Sequence, residues 1–66
     1  MATASIVTIG NELVAGDTVN TNGSWLAARL EGLGVDVLMI AALPDDEDRV
    51  AAFVRAQSAE VDVVLV

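Results

Sequence analysis

The sequence predicts an α/β fold in which helices pack against a parallel sheet. Three short apolar runs rich in β-branched residues alternate with two segments of helical periodicity. The order strand, helix, strand, helix, strand calls for parallel strands joined by right-handed crossovers. The second and third runs lack the inside–outside alternation of a half-exposed sheet. We therefore expect both strands to be buried on both faces.

The first strand and the first helix have clear boundary signals. The strand is predicted at Ser5–Ile9, a β-branched run that stops at Gly10. The helix follows because three leucines within residues 26–33 recur at i, i+4 and i+7. Its start is predicted at residues 20–22, where Asn, Thr and Asn can cap a helix, and its end at Gly34.

The second half of the chain repeats this alternation. A strand is predicted at Val35–Leu43, and the acidic residues 45–48 then suit the positive end of a second helix dipole. The third strand is predicted at Val61–Val66, where the sequence stops inside or at the end of a buried strand. We expect residues 1–66 to be the N-terminal part of a larger domain, because such a strand would leave an edge of unpaired backbone groups.

Composition narrows the classes of function. Ten acidic residues against three basic ones give a net charge of −7, which disfavours binding to nucleic acid phosphates. The chain contains no Cys and no His, so disulfides, thiolate zinc sites and imidazole catalysis are excluded. The longest apolar run, of seven residues, is far below the roughly twenty that span a membrane. With no basic, signal-like start either, a cytoplasmic protein is expected.

A long polar connection between the first strand and the first helix is the main functional signal. It covers the thirteen residues of Gly10–Asn22, whereas strand-to-helix loops commonly have about two to six residues. The connection leaves the carboxyl end of a parallel strand, where open α/β sheets bind ligands. The start of the following helix adds unpaired N–H groups and a positive dipole end, so the region can cradle an anion.

Several side chains of this region could bind a ligand. Glu12 and Asp17 could share a hard cation such as Mg²⁺, which prefers oxygen ligands. The amides of Asn20 and Asn22 could hydrogen-bond a heterocycle or a ribose, and Asp45, after the second strand, could face the same crevice. Each has a plainer interpretation: the carboxylates could be solvated loop residues, and the two Asn residues could serve only as helix caps.

Aromatic and basic side chains carry less functional signal. Trp25 lies beside Leu26 on the first helix and is interpreted as a core or interface aromatic rather than a stacking platform. The three arginines fall within the predicted helices, so none is well placed to grip a phosphate. An anionic ligand would therefore depend on backbone N–H groups and a bridging metal to offset its charge.

Taken together, these residues resemble the molybdopterin-binding domain family, on the branch of competence/damage-inducible protein A (CinA). The resemblance covers essentially the whole chain. It implies a three-layer α/β/α sandwich with strand order 2-1-3. The segments that carry it are Ser5–Gly16, Val19–Asn22, Leu26-Ala27, Leu33–Asp36, Pro44–Asp46 and Val61–Val66.

The resemblance also implies a ligand and a set of binding positions. The ligand would be a molybdopterin-type or adenine nucleotide phosphate bound with Mg²⁺. The activity of the parent protein would be adenylyl transfer, metal insertion or hydrolysis of a nucleotide pyrophosphate. A homo-oligomer is expected, and the 66-residue chain is expected to be inactive alone. The positions assigned to ligand binding are Gly10, Asn11, Glu12, Asn20, Asn22 and Asp45, with Glu12 and Asp17 on the metal.

Two other classes of function compete with this one. A non-catalytic interaction or oligomerisation module could keep the fold and use Trp25 and uncovered sheet edges as a contact surface. Dinucleotide-dependent redox chemistry is disfavoured, because the first strand-to-helix turn is too long and lacks the G-x-G-x-x-G spacing.

Overall fold

The computed structural model describes residues 1–16 and 21–66. The strands form one parallel sheet in the order β2-β1-β3, with β1 in the centre. The α/β class and the strand order implied by the family resemblance are both confirmed. The elements, in chain order, are β1 (Thr3–Ile9), α1 (Asn11–Ala15), α2 (Thr21–Gly32), β2 (Asp36–Leu43), α3 (Glu47–Ser58) and β3 (Val63–Leu65).

The helices flank this sheet. α2 packs on β1 and β2, and α3 packs on β3. From β1 the chain moves to the β2 edge, and from β2 it crosses back over β1 to reach β3. Two right-handed crossovers that run in opposite directions place α2 and α3 on opposite faces of the sheet. The three-layer arrangement follows from the strand order.

The core lies along the central strand. Within the described residues, Ala4, Ser5 and Ile6 are fully buried and Val7 is nearly so. The Ser5 hydroxyl donates a hydrogen bond of 2.6 Å to Oε1 of Gln57 in α3, so this buried polar group has a partner. The same hydrogen bond ties the central strand to the helix layer on its face.

β2 differs from the prediction of a strand covered on both faces. Leu38 is 62% exposed, and Met39 and Ile40 are each more than 40% exposed. Leu38 is an extra residue in the ladder, because Ala4 pairs with Val37 and Ser5 pairs with Met39. The prediction that β2 is buried on both faces is therefore wrong for this chain. An apolar run shows that a strand can be buried, but it does not show that other elements are present to cover it.

β3 is shorter than the predicted strand. Its first two predicted residues serve other purposes: the Val61 N–H donates to the Gln57 carbonyl at the end of α3. The Asp62 carboxylate accepts a hydrogen bond of 2.9 Å from the Thr3 N–H. The Asp62 N–H still donates to the Thr3 carbonyl at 3.1 Å, and the paired residues of the ladder with β1 begin at Val63.

The ends of the two long helices agree with the sequence signals. After α2, Gly34 has φ of +85°, and its N–H and that of Val35 donate to the carbonyls of Glu31 and Leu30. This is the Schellman closure that favours glycine. At the start of α3, the Asp46 carboxylate accepts from the Asp48 and Arg49 N–H groups. No helix within the described ranges is long and apolar enough to cross a membrane.

The sequence predicts irregular backbone throughout the polar connection after β1, but part of this connection is helical. Its residues 11–15 form the short helix α1. Gly10 precedes this helix, and Gly16 ends it in the left-handed region with φ of +80°. The prediction of a continuous loop is wrong here, and a five-residue helix is too short to show helical periodicity in the sequence.

Candidate functional site

A cavity of about 540 Å³ opens where β1 and β3 end. Its wall includes Ile9 of β1, Glu12 of α1, Asn22 and Trp25 of α2, and Val66 after β3. β2 pairs with one edge of β1 and β3 pairs with the other, so the strand order reverses at β1. The cavity at the carboxyl end of β1 therefore lies at the topological switch point of the sheet. Open parallel sheets bind ligands at that place. We call it the switch-point cavity.

Glu12 supplies the acidic group on this wall. It lies in the first turn of α1, and its side chain folds back over Gly10. A Cβ atom on Gly10 would lie only 2.6 Å from Oε1 of Glu12, so the absence of a side chain at Gly10 makes room for the carboxylate. The Gly10 N–H donates to the Leu43 carbonyl at 3.0 Å, which fixes this junction to the end of β2.

The start of α2 supplies the neutral polar part of the wall. Thr21 and Asn22 lie in its first turn and line the cavity. The helix dipole adds partial positive charge at this start. The Asn22 amide brings a donor and an acceptor on one side chain. This end of the cavity can therefore receive an anion and hydrogen-bond a neutral polar edge.

Three of the predicted ligand-binding positions, Gly10, Asn11 and Asp45, do not line the switch-point cavity. The Asn11 Oδ1 atom accepts a hydrogen bond of 3.1 Å from the Asp45 N–H, which ties α1 to the turn before α3. Asp45 lines a second hollow, together with Asp46 and Val50 of the α3 side. Ile9 at the carboxyl end of β1 borders both hollows. The residues of the switch-point cavity and the residues of the second hollow therefore lie to either side of this strand end. The structure thus brings Glu12 together with Asn22, and Asn11 with Asp45.

The remaining predicted positions, Asp17 and Asn20, lie outside the described residues. Among residues 1–16 and 21–66, no group of three or more acidic, Cys or His side chains is arranged to hold a metal ion. Mg²⁺ commonly binds through one or two carboxylates together with substrate phosphates and waters. Glu12 fits that role as a single carboxylate ligand. The described residues therefore suit a Mg²⁺ ion that also takes ligands from bound phosphates, rather than one whose ligands all come from the protein.

The electrostatics of the cavity favour the same conclusion. In the described part of its wall, Glu12 is the charged side chain, and no Lys or Arg contributes to the wall. The whole chain carries a net charge of −7. Such a field opposes the approach of a phosphate that carries no cation with it.

Trp25 lines the switch-point cavity, a position that was not predicted from the sequence. It is 62% exposed, so the prediction of a core aromatic is wrong, while a role at an interface stays a prediction. The Arg29 guanidinium lies over the indole ring, with its carbon 5.7 Å from the ring centroid. Helical spacing was the available signal, since residues at i, i+3 and i+4 share a face and Trp25 follows Asn22 and Thr21 at those distances.

The fold and this cavity define a parallel α/β domain with a ligand-sized hollow at its topological switch point. A family model described as a probable molybdopterin binding domain matches residues 5–66. The chain belongs to this family of molybdopterin-binding domains. The resemblance inferred from the sequence is confirmed, including its CinA-like branch.

Individual relatives cover nearly the whole chain. A CinA-like protein of Chlorobium limicola is 48% identical over 63 residues, which is 96% of this chain and 15% of that protein. A protein of Pyrobaculum calidifontis is 46% identical over 65 residues, which is 98% of this chain and 25% of that protein. A second CinA-like protein, from Chlorobium phaeobacteroides, is 38% identical over 63 residues. The chain spans a quarter or less of the length of these relatives.

Proposed function

We propose that the switch-point cavity binds a phosphorylated small molecule, of the molybdopterin or the adenine nucleotide type, together with Mg²⁺. One observation carries the proposal: Glu12, Thr21 and Asn22 meet in a single cavity beyond the carboxyl ends of β1 and β3. A carboxylate, an amide and a helix start in one place match the three chemical parts of such a ligand complex. These parts are the metal, a polar ring or sugar edge, and the phosphate.

The proposed roles follow from the charges. The phosphate lies at the start of α2, where the helix dipole favours negative charge. Glu12 holds the Mg²⁺ ion that neutralises the remaining phosphate charge, since an unaccompanied phosphate would be repelled by this carboxylate. The amide of Asn22 hydrogen-bonds the sugar or the heterocycle. Asp17 and Asn20, assigned to metal and ligand from the sequence, stay predictions.

The chemistry proposed for the whole protein is transfer or hydrolysis at a phosphate. The candidate reactions are adenylyl transfer or metal insertion in molybdenum cofactor biosynthesis, and hydrolysis of a nucleotide pyrophosphate in the CinA-like branch. When bound, Mg²⁺ supplies charge neutralisation, and the protein contributes mainly positioning. None of the wall residues is placed as a nucleophile in this proposal. The proposed setting is the cytoplasm.

Replacing Glu12 tests the proposal. We expect Glu12→Gln to weaken Mg²⁺-dependent binding of AMP about 10- to 100-fold, because a charged metal ligand becomes a neutral one of the same size. The measurement is equilibrium dialysis of AMP against the 66-residue chain, with Mg²⁺ and with EDTA. Far-UV circular dichroism checks that the variant is folded.

Glu60→Gln is the matched control. It removes the same charge from the turn between α3 and β3, where the Glu60 N–H bonds the Gln57 carbonyl, at the opposite end of the sheet from the cavity. This control should bind AMP as the wild type does. If Glu12→Gln binds AMP with unchanged Mg²⁺ dependence, Glu12 is not a metal ligand. If the wild type binds AMP in neither condition, adenine nucleotides are excluded, and a pterin phosphate takes the same test.

A second candidate function is a non-catalytic interaction or oligomerisation module. The observation in its favour is the exposed apolar surface of the edge strand β2, at Leu38, Met39 and Ile40. Exposed apolar edges favour pairing with another chain. In this proposal the expected homo-oligomer forms through β2, which leaves the switch-point cavity free.

A further inference from the structure

We propose that Trp25 and Arg29 form a ring-binding subsite that stacks the planar heterocycle of the ligand. This inference rests on the proposed function, because it assigns the heterocycle of that ligand to a specific side chain. It carries a chemical preference: the cavity should bind phosphates attached to a flat, conjugated ring more tightly than phosphates attached only to a sugar. Both pterins and adenine satisfy that preference.

The first support is the exposure of Trp25 on the cavity wall. The indole lines the switch-point cavity beside Thr21 and Asn22, yet 62% of the residue is accessible to solvent. Trp is normally among the side chains with the most surface to bury. The packing of α2 on β1 and β2 therefore leaves this ring largely uncovered, with its surface open to a ligand in the cavity.

The second support is the Arg29 guanidinium, which lies 5.7 Å from the centroid of the Trp25 ring. A cation at this distance over an indole face is attracted to the ring, although only weakly at an exposed site. A ring with a cation on one face can still stack a ligand on its other face, as aromatic and guanidinium groups do for nucleic acid bases. Arg29 also places a positive charge beside a cavity whose described wall has none.

The third support is the spacing along α2. Thr21 and Asn22 precede Trp25 by four and three residues, so the three side chains share one face of the helix. Arg29 continues this face one turn further along. A phosphate at the helix start and a ring stacked on Trp25 are then contacted by consecutive turns of one rigid helix. The separation between the two groups of the ligand would be set by the helical rise.

The chain contains a built-in reporter for this contact. Trp25 is its single tryptophan, so the intrinsic fluorescence of the protein arises from the proposed subsite itself. Titrations would use AMP, a pterin phosphate and ribose 5-phosphate, each with Mg²⁺. AMP and ribose 5-phosphate differ by the heterocycle alone, and AMP and the pterin phosphate differ in the type of ring. Equilibrium dialysis would measure affinity independently of fluorescence.

The expected result is a change in Trp25 fluorescence with AMP or the pterin phosphate, and none with ribose 5-phosphate. Trp25→Leu should lower affinity for the ring-bearing ligand about 5- to 100-fold and leave affinity for ribose 5-phosphate unchanged. Trp25→Phe retains a ring and should lose less affinity than Trp25→Leu. Because Trp25 is mostly exposed, both variants should fold, which circular dichroism would verify.

The two levels of the proposal fail in different ways. If AMP or the pterin phosphate binds by dialysis while Trp25 fluorescence stays constant and Trp25→Leu binds equally well, the subsite is overturned and the phosphate site stands. If none of the three ligands binds, the proposed function is overturned, and the subsite with it. If fluorescence instead changes with protein concentration alone, the ring belongs to an interface between copies of the chain, which also overturns the subsite.

Discussion

Adding a methyl group at Gly10 should displace the Glu12 carboxylate without unfolding the chain. Gly10 has φ of 166° and ψ of 131°, an extended conformation that alanine adopts freely. The new Cβ atom would lie 2.6 Å from Oε1, 3.0 Å from Cδ and 3.1 Å from Oε2 of Glu12. These atoms are the far end of a flexible side chain, so the carboxylate can move while the backbone stays in place.

The size of the displacement follows from these distances. Ordinary van der Waals contact begins at 3.4 Å, so moving Oε1 from 2.6 Å requires a shift of about 0.8 Å. Ligand and metal sites tolerate about 0.5 Å of misplacement, and about 1 Å can cost a factor of a hundred. We therefore expect Gly10→Ala to weaken Mg²⁺-dependent binding of AMP about 10- to 100-fold. The free energy of unfolding should change by less than about 1 kcal/mol.

The assay combines equilibrium dialysis of AMP, with and without Mg²⁺, and urea unfolding of the same preparations. Gly32→Ala is the matched control, because a Cβ atom at the end of α2 meets nothing within 4 Å. That control should keep the affinity of the wild type and gain about 0.5–1 kcal/mol of stability from better helix propensity. The reasoning would be refuted if Gly10→Ala bound AMP and Mg²⁺ as the wild type does. A large loss of stability in Gly10→Ala would refute it as well.

Two further predictions concern β2 and α3. If β2 mediates the homo-oligomer, sedimentation of the wild type should show a multiple of the 6.8 kDa chain mass. Leu38→Asp places a charge on the exposed edge strand and should make the protein monomeric. A monomeric wild type would contradict the proposed role of β2. Asp46→Ala removes the cap that accepts from two N–H groups of α3, so we expect a loss of about 1 kcal/mol, or about 4–8 °C in Tm. An unchanged thermal melting curve would show that the cap does not stabilise α3.

The long elements could be predicted because each combines an apolar pattern with end signals. α3 begins within the acidic segment 45–48 that was predicted to suit its dipole, and the chain leaves α2 at the predicted Gly34. α1 could not be predicted from periodicity, because its five residues span less than two helical turns. Gly16 was the available signal for its end, since the left-handed conformation after a helix favours glycine.

The site was predicted only in part. The sequence predicts a ligand site after β1, and a cavity opens there, but proximity along the chain does not tell which side of β1 a side chain reaches. Asn11 and Glu12 are adjacent in sequence, yet Asn11 bonds Asp45 while Glu12 lines the switch-point cavity. Trp25 was interpreted as a core or interface aromatic because it is hydrophobic. Hydrophobic character shows that a side chain can be buried, but it does not show which elements pack against it.

The sequence by itself determined the order of strands and helices, the acidic character of the chain and the polar segment beyond the first strand. These features depend on local propensity, periodicity and composition, which are properties of residues close together in the sequence. The tertiary structure decided that Glu12, Asn22 and Trp25 share one cavity and that Asp45 lies outside it. The physical reason is that crossovers set which strands become neighbours, and neighbouring strands bring together side chains distant in sequence.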